Sequence, residues 1–439
     1  MRLPGRAGMI PALSVRGGGD MSRRRRGIRA ARRAAWLLFL ALGSARAGGL
    51  SDALVRDSEV TLHFRSHYLD RNRTPGNDSL AWAAGGWLGY RSGWLADALR
   101  LGVTVHASRK LHGPSDQDGA ALLLAGQRSY TVAGEAFGAV RHDGHTLTAG
   151  RFLVNQFEVN PQDTRMTPRT FQGLSLAGKA GGVEYFVGRL DRMKARNWDY
   201  FENVADVAGA PAGTHRPMWL VSARGAPGEN LSLGFARYHV RDILASTYAD
   251  AAWTLPVGAD TRLRLGGQAF RQGSTGQRLL TGAAFDTWIA GLKADLIHGP
   301  LTLSGIAMKT GRGAAYRMPY GSWAGYTSRI INNFNRAGEE VWAVDAAVDF
   351  ARLGAPGLGL YASATVGRNA IDAATGAALS RNTEYDLSVD YRFTADGWPQ
   401  WAKPLWLRAR TARFEQRLGG ASTVTTEHHL ILNYAFVIK

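Results

Sequence analysis

The sequence predicts an all-β protein whose strands close into a transmembrane antiparallel barrel of about 18 strands. Three observations predict it. Segments of about ten residues alternate apolar and polar side chains, and that is the length of a tilted strand crossing a bilayer. A leader for export stands near the start. No stretch after it has the long apolar run of a membrane-crossing helix.

The leader comes first in the chain. Met21 opens MSRRRRGIRAARRAAWLLFLALGSARA, in which a dense basic run precedes an apolar core from Ala34 to Leu42. Ala45-Arg46-Ala47 follows as a small-x-small cleavage signal, so a secretory signal peptide is expected to be cut after Ala47. The apolar core is too short to span a bilayer. Residues 1–20 read as an upstream extension. The chain therefore divides into residues 1–47, removed on export, and residues 48–439, the barrel.

Charge follows this division. The 439 residues carry a formal +18, but residues 1–47 hold eleven arginines and one acid, Asp20. The remainder has 42 basic against 34 acidic side chains, a net of +8. The high basicity belongs largely to the leader and requires no nucleic-acid partner. The absence of cysteine excludes disulfide frameworks, thiolate zinc sites and thiol nucleophiles.

Four segments carry the alternation. Near the start of the barrel, Val60, Leu62, Phe64 and Tyr68 oppose Thr61, His63, Arg65, His67 and Arg71. Further on, Trp342, Val344, Ala346, Val348 and Phe350 oppose Asp345 and Asp349. Tyr385, Leu387, Val389, Tyr391 and Phe393 oppose Glu384, Asp386, Ser388, Asp390 and Arg392. At the end, His428, Leu430, Leu432, Tyr434 and Phe436 oppose His429, Ile431 and Asn433. A soluble sandwich shows the same alternation. The aromatic residues decide for a membrane: they recur toward the ends of the apolar faces, where an interfacial girdle sits. A chain exported past one membrane and spanning the next has to close its sheet, because lipid satisfies no open edge. The 392 residues after Ala47 allow about 22 per strand and connection for 18 strands.

The stretch LWLRARTARFE, from Leu405, then has a direct reading. Leu405, Leu407 and Ala409 face lipid, and Trp406, Arg408 and Arg410 face a wet lumen. Arginine on the lipid side near the midplane would cost about 2–4 kcal/mol, which fixes the register. Two readings of these arginines stand together: a positive wall for passing anions, or partners for Glu384, Asp386 or Asp390 that stiffen the wall. The adjacent His428 and His429 point to opposite faces and cannot share a metal ion. No G-x-S-x-G, H-E-x-x-H or P-loop motif is present, so no residue is selected for catalysis.

In their order along the chain, TLHFRSHYLDRNRT, AWAAGGWLGYRSGW, QDTRMTPRTFQGLSL, GRLDRMKARNWDYFE, YGSWAGYTSRIINNFNRAGEEVWAVD, LWLRARTARFE and HHLILNY resemble the OprD-type substrate-specific outer-membrane porins. The resemblance implies third and seventh loops folded inward to narrow the pore, and a ladder of basic side chains leading small carboxylate-bearing solutes, amino acids among them, through it. It implies no cofactor, and partners limited to solutes, outer-membrane lipid and further copies in a weak homotrimer, if the barrel is not a monomer. Carried over, the ladder falls on Arg71, Arg408 and Arg410, with Arg165 and Arg169 from the third loop and Arg65 sharing the strand parity. His429 stands where some members have a basic rung. Asn333 stands where some have an acidic group in the seventh loop, which shifts the expectation toward plain anions. A general or sugar-selective porin and a barrel-type outer-membrane enzyme are the rival readings.

Overall fold

The computed structural model describes residues 47–439. The leader lies outside the described residues except for Ala47, where a five-residue helix, Ala47–Ser51, begins. Among the described residues no helix is long and apolar enough to cross a membrane.

Strands make up most of the remainder. They are β1 (Glu59–Thr74), β2 (Ser79–Arg91), β3 (Leu99–His112), β4 (Tyr130–His142), β5 (His145–Phe152), β6 (Thr170–Ala180) and β7 (Val183–Lys194). Next come β8 (Glu202–Asn203), β9 (Met218–Gly228), β10 (Leu231–Val240), β11 (Leu244–Pro256), β12 (Thr261–Ser274) and β13 (Asp286–His298). The last are β14 (Leu301–Thr310), β15 (Glu340–Asp349), β16 (Leu358–Arg368), β17 (Arg381–Arg392), β18 (Leu405–Leu418) and β19 (Ala421–Ile438). The two-residue β8 pairs only with the end of β7, and β7 pairs directly with β9. The other 18 strands form one antiparallel sheet in chain order, closed by β1 on β19 from Val60↔Ile438 to Thr74↔Val424. Closure removes every free edge, as a sheet in lipid requires.

The alternation read from the sequence sets which way each side chain points. In β17 the residues Asn382, Glu384, Asp386 and Ser388 are buried, while Tyr385, Leu387 and Val389 are exposed. In β15 Val341, Ala343 and Asp345 are buried, and Trp342 and Val344 stand 63% exposed to the outside. Several strands outrun the expected ten residues, β1 with 16 and β19 with 18, so their ends project past the apolar band.

Connections differ at the two ends. Tight turns such as 143–144, 181–182 and 299–300 mark one end, where β1 begins and β19 finishes. Long loops mark the other: the second (113–129), third (153–169), fourth (195–217) and seventh (311–339). In outer-membrane barrels the long loops are the extracellular ones.

Inward-pointing aromatics form a feature that the alternating segments did not announce. Tyr248, Phe270, Tyr316, Trp323 and Phe334 pack into one buried cluster between the wall at β10–β15 and the seventh loop. This apolar packing fills one side of the bore. Polar groups that stay partly exposed, Asp390, Arg408 and Arg410, lie along β17 and β18.

Candidate functional site

Three loops build a constriction against inward-facing wall residues. The third loop crosses the bore. At one side its Asp163 receives Arg65 of β1, with Nη1 at 2.6 Å and Nη2 at 3.1 Å. Arg65 also donates Nε to Asn433 of β19 at 2.7 Å and Nη1 to the carbonyl of Arg165. At the other side Glu158 accepts the Tyr316 hydroxyl of the seventh loop at 2.5 Å and the Ser246 hydroxyl of β11 at 2.9 Å. Between these anchors the Asn160 side chain ties the third loop to Ser322 of the seventh, donating to its carbonyl at 3.1 Å and accepting from its amide at 2.9 Å.

The seventh loop is pinned independently. Its Arg329 donates Nε to Thr365 at 2.6 Å and Nη1 to Asp345 at 3.2 Å and to the Tyr361 hydroxyl at 2.7 Å. The backbone amides of Ile331 and Asn332 donate to the Glu384 carboxylate at 2.7 and 2.9 Å. Asn333 follows immediately, and its carbonyl accepts the Thr327 hydroxyl at 3.1 Å. The second loop enters the bore as well: Ala120, Leu122 and Leu123 pack on Leu69, Ala81 and Ala83 of the wall and on Met166 of the third loop. Short-range hydrophobic burial thus backs the loop that the polar clamps position.

The basic residues singled out in the sequence converge here, in different states. Arg65 is committed to the clamp, with 5% of its side chain exposed. Arg165 is buried and donates to the carbonyls of Ala120 at 3.0 Å and Thr164 at 2.9 Å. Burial, with the Arg196 guanidinium nearby and Glu427 opposing, pushes Arg165 down to about 9, so it keeps its charge at neutral pH. Arg169, at the end of the third loop, donates to the Pro319 carbonyl at 2.9 Å and is lowered by burial to about 10. Arg196 of the fourth loop, which the sequence did not single out, donates to Thr164 and is likewise lowered to about 10.

At the β1–β19 closure a buried chain of polar groups runs behind the third loop. Glu427 is fully buried and accepts Arg71 Nε at 2.5 Å and His429 Nε2 at 2.6 Å, with Arg165 Nη2 at 3.6 Å. A carboxylate only accepts, so His429 donates through Nε2, and its Nδ1 then receives His67 Nε2 at 2.9 Å. His429 therefore lies within the wall, only 4% exposed, rather than at the water surface. Glu427 partly neutralises Arg71 and Arg165, two expected rungs.

Arg408 and Arg410 both point inward. Arg408 grips Asp390 with Nε at 2.7 Å and Nη2 at 3.0 Å and lies over the Trp406 ring, its carbon 4.5 Å from the centroid. Its side chain remains 31% exposed. Arg410 is half-buried, and its one hydrogen bond is from Nε to the Ser388 hydroxyl at 3.3 Å. Among the described residues no carboxylate lies within salt-bridge reach of Arg410. Its two terminal amino groups remain available for a planar, bidentate grip on a carboxylate.

A closed barrel with loops folded into its bore has known relatives. The family model for outer membrane porins of the OprD family matches residues 52–438. Porin D of Pseudomonas aeruginosa is 23% identical over 429 residues, which cover 88% of this chain and 92% of that protein. The fold is similar to that of P. aeruginosa OpdK solved with vanillate, at a TM-score of 0.76 and 20% identity, covering 88% of this chain and all of that one. It is similar in the same measure to P. aeruginosa OccK9 (OpdG), at 0.76 and 23% identity over 88% of this chain and 100% of that one.

Proposed function

Because the chain belongs to the OprD family of outer membrane porins, channels of the bacterial outer membrane and not enzymes, we propose that it passes small carboxylate-bearing anions by selective diffusion along its arginine-bearing wall. The observation that carries this reading is the unmatched guanidinium of Arg410, beside a partly exposed Arg408. Arg65, Arg165 and Arg71 hold the constriction and contribute what charge Asp163 and Glu427 leave them. An anion leaving Arg410 meets the outer edge of Arg408 one step along the same face of β18. Each contact has to be strong enough to admit the anion and weak enough to release it. The screening length in physiological salt is about 8 Å, so within a narrow passage the field of these groups is only partly screened. Vanillate, named with OpdK, is one solute of this chemistry.

Reversal potentials across a planar bilayer holding a potassium chloride gradient test the reading, with benzoate added as competitor. The wild type is expected to prefer chloride and to be blocked partially by benzoate. Arg410→Ala is expected to lose most of both. A variant that folds and keeps the wild-type reversal potential and benzoate block contradicts the assignment.

A further inference from the structure

On the outside of the barrel, away from the bore, one line of residues across β14 to β18 is unusually basic. Lys309 pairs in register with Glu340, and Glu340 with Arg368. Gly367 pairs with Asn382, which sets Arg368 beside Arg381, and Arg381 pairs with Arg417. All share the outward parity of Ala307, Trp342, Val366 and Thr383, the line two residues lower, which on tilted strands is about 5 Å nearer the membrane centre.

Two of these cations are already matched: Lys309 to Glu340 at 2.7 Å and Arg417 to Glu415 at 2.7 Å. Arg368 and Arg381 are exposed and have no carboxylate within 4 Å among the described residues. With Arg312, from the start of the seventh loop and equally unmatched, they line a single cleft of about 650 Å³. Below it the outer wall carries an apolar groove of about 880 Å³. Leu265, Leu292, Trp342 and Tyr385 rise around Gly305 and Ala364, and Arg381 belongs to both groove and cleft.

We propose that this outer face binds a phosphorylated lipid of the outer leaflet, its acyl chain in the groove and its phosphate held by Arg312, Arg368 and Arg381. Guanidinium groups hold phosphate oxygens through paired, charge-assisted hydrogen bonds. Three of them without counter-ions, at the level where a barrel leaves the hydrocarbon, fit a doubly charged headgroup better than any neutral one. A soluble phosphate shares that chemistry. The groove adjoins the cleft at Arg381, which favours the lipid, since it gives the hydrocarbon part a place below the charge. The site faces away from the bore, so the proposal stands independently of the permeation reading.

The test uses the full barrel in detergent and follows complexes by native mass spectrometry and by the shift in thermal unfolding. The probes are lipid A with its phosphates, the same lipid with the phosphates removed, and inorganic phosphate. Phosphorylated lipid A is expected to bind about tenfold or more tightly than the dephosphorylated form. Arg368→Ala/Arg381→Ala is expected to abolish that preference while single-channel conductance stays at the wild-type level. Equal binding of the two lipids to the wild type overturns the proposal, whatever the variant does. So does a folded double variant with undiminished preference. Inorganic phosphate binding as tightly as lipid A overturns the lipid assignment in favour of a soluble ligand.

Discussion

Replacing Glu427 by glutamine separates the two roles of the buried arginines. The carboxylate is completely buried, 2.5 Å from Arg71, 2.6 Å from His429 and 3.6 Å from Arg165. The amide has the same size but no charge, and its nitrogen would face Arg71. Breaking a buried pair from one side costs about 3–5 kcal/mol, and because the amide oxygen still accepts one hydrogen bond the loss should sit near the lower figure. Permeation should move the opposite way. Without Glu427, Arg71 and Arg165 add about one net positive unit to the constriction. At about 7 Å in water-like surroundings this favours an anion by about 0.6 kcal/mol, roughly a threefold rise in local occupancy, and more where the walls exclude water. Denaturant midpoints in detergent measure the first effect, and reversal potentials in a potassium chloride gradient measure the second. The variant should be less stable and more anion-selective. A folded variant whose chloride preference stays level or falls would refute the reasoning, because the charge released at Arg71 and Arg165 would then not reach the bore.

Two further outcomes follow from the clamps. Arg65→Ala removes the bonds that hold the third loop to β1, so single-channel conductance should rise with added current noise, and a wild-type trace would show that the loop's ties through Glu158 and Asn160 suffice to hold the constriction. Glu158 sits outside the strands, facing Tyr316, Ser246 and Tyr238, and burial raises its carboxyl from 4.5 to about 7. A raised carboxyl makes the closed junction bind a proton that the opened one releases, so the stabilisation is complete below the ordinary value and is lost as pH rises through about 7. Wild-type channels should therefore flicker more at pH 8 than at pH 5, whereas Glu158→Gln, permanently uncharged, should gate alike at both; an unchanged pH response in that variant would place the titrating group elsewhere.

The barrel was legible because lipid and water enforce a period of two. Each inward or outward assignment in β1, β15, β17, β18 and β19 follows from single residues, with no knowledge of their neighbours. Partners were harder to read. That Arg408 meets Asp390 depends on strand register, while Arg71 meets Glu427 across the closure of β1 on β19, between residues 356 positions apart. Glu427 shares the parity of His429, and that spacing was the available sign that a carboxylate pointed inward beside it. Arg196 and Arg329 lie in loops, where no periodicity announces direction. The inward aromatics Tyr248 and Phe270 owe their dry environment to Tyr316 and Trp323 of the seventh loop and Phe157 of the third, residues that no strand alternation places. The sequence places no acid at Asn333, yet the third loop brings Asp163 and Glu158 to the same constriction by another route.

The β1–β19 ladder has a consequence for biogenesis. Asn433 and Glu427, which fix Arg65, Arg71 and Arg165, lie on β19, the strand that closes the barrel onto β1. A chain still waiting for that strand carries Arg65 and Arg71 on β1 but not the acceptors that fix them, so this side of the gate is completed only when the cylinder is sealed. Until that seam closes, the β1 arginines stand without their acceptors on β19, and the barrel's closure and its charge pattern at this wall are completed in one event.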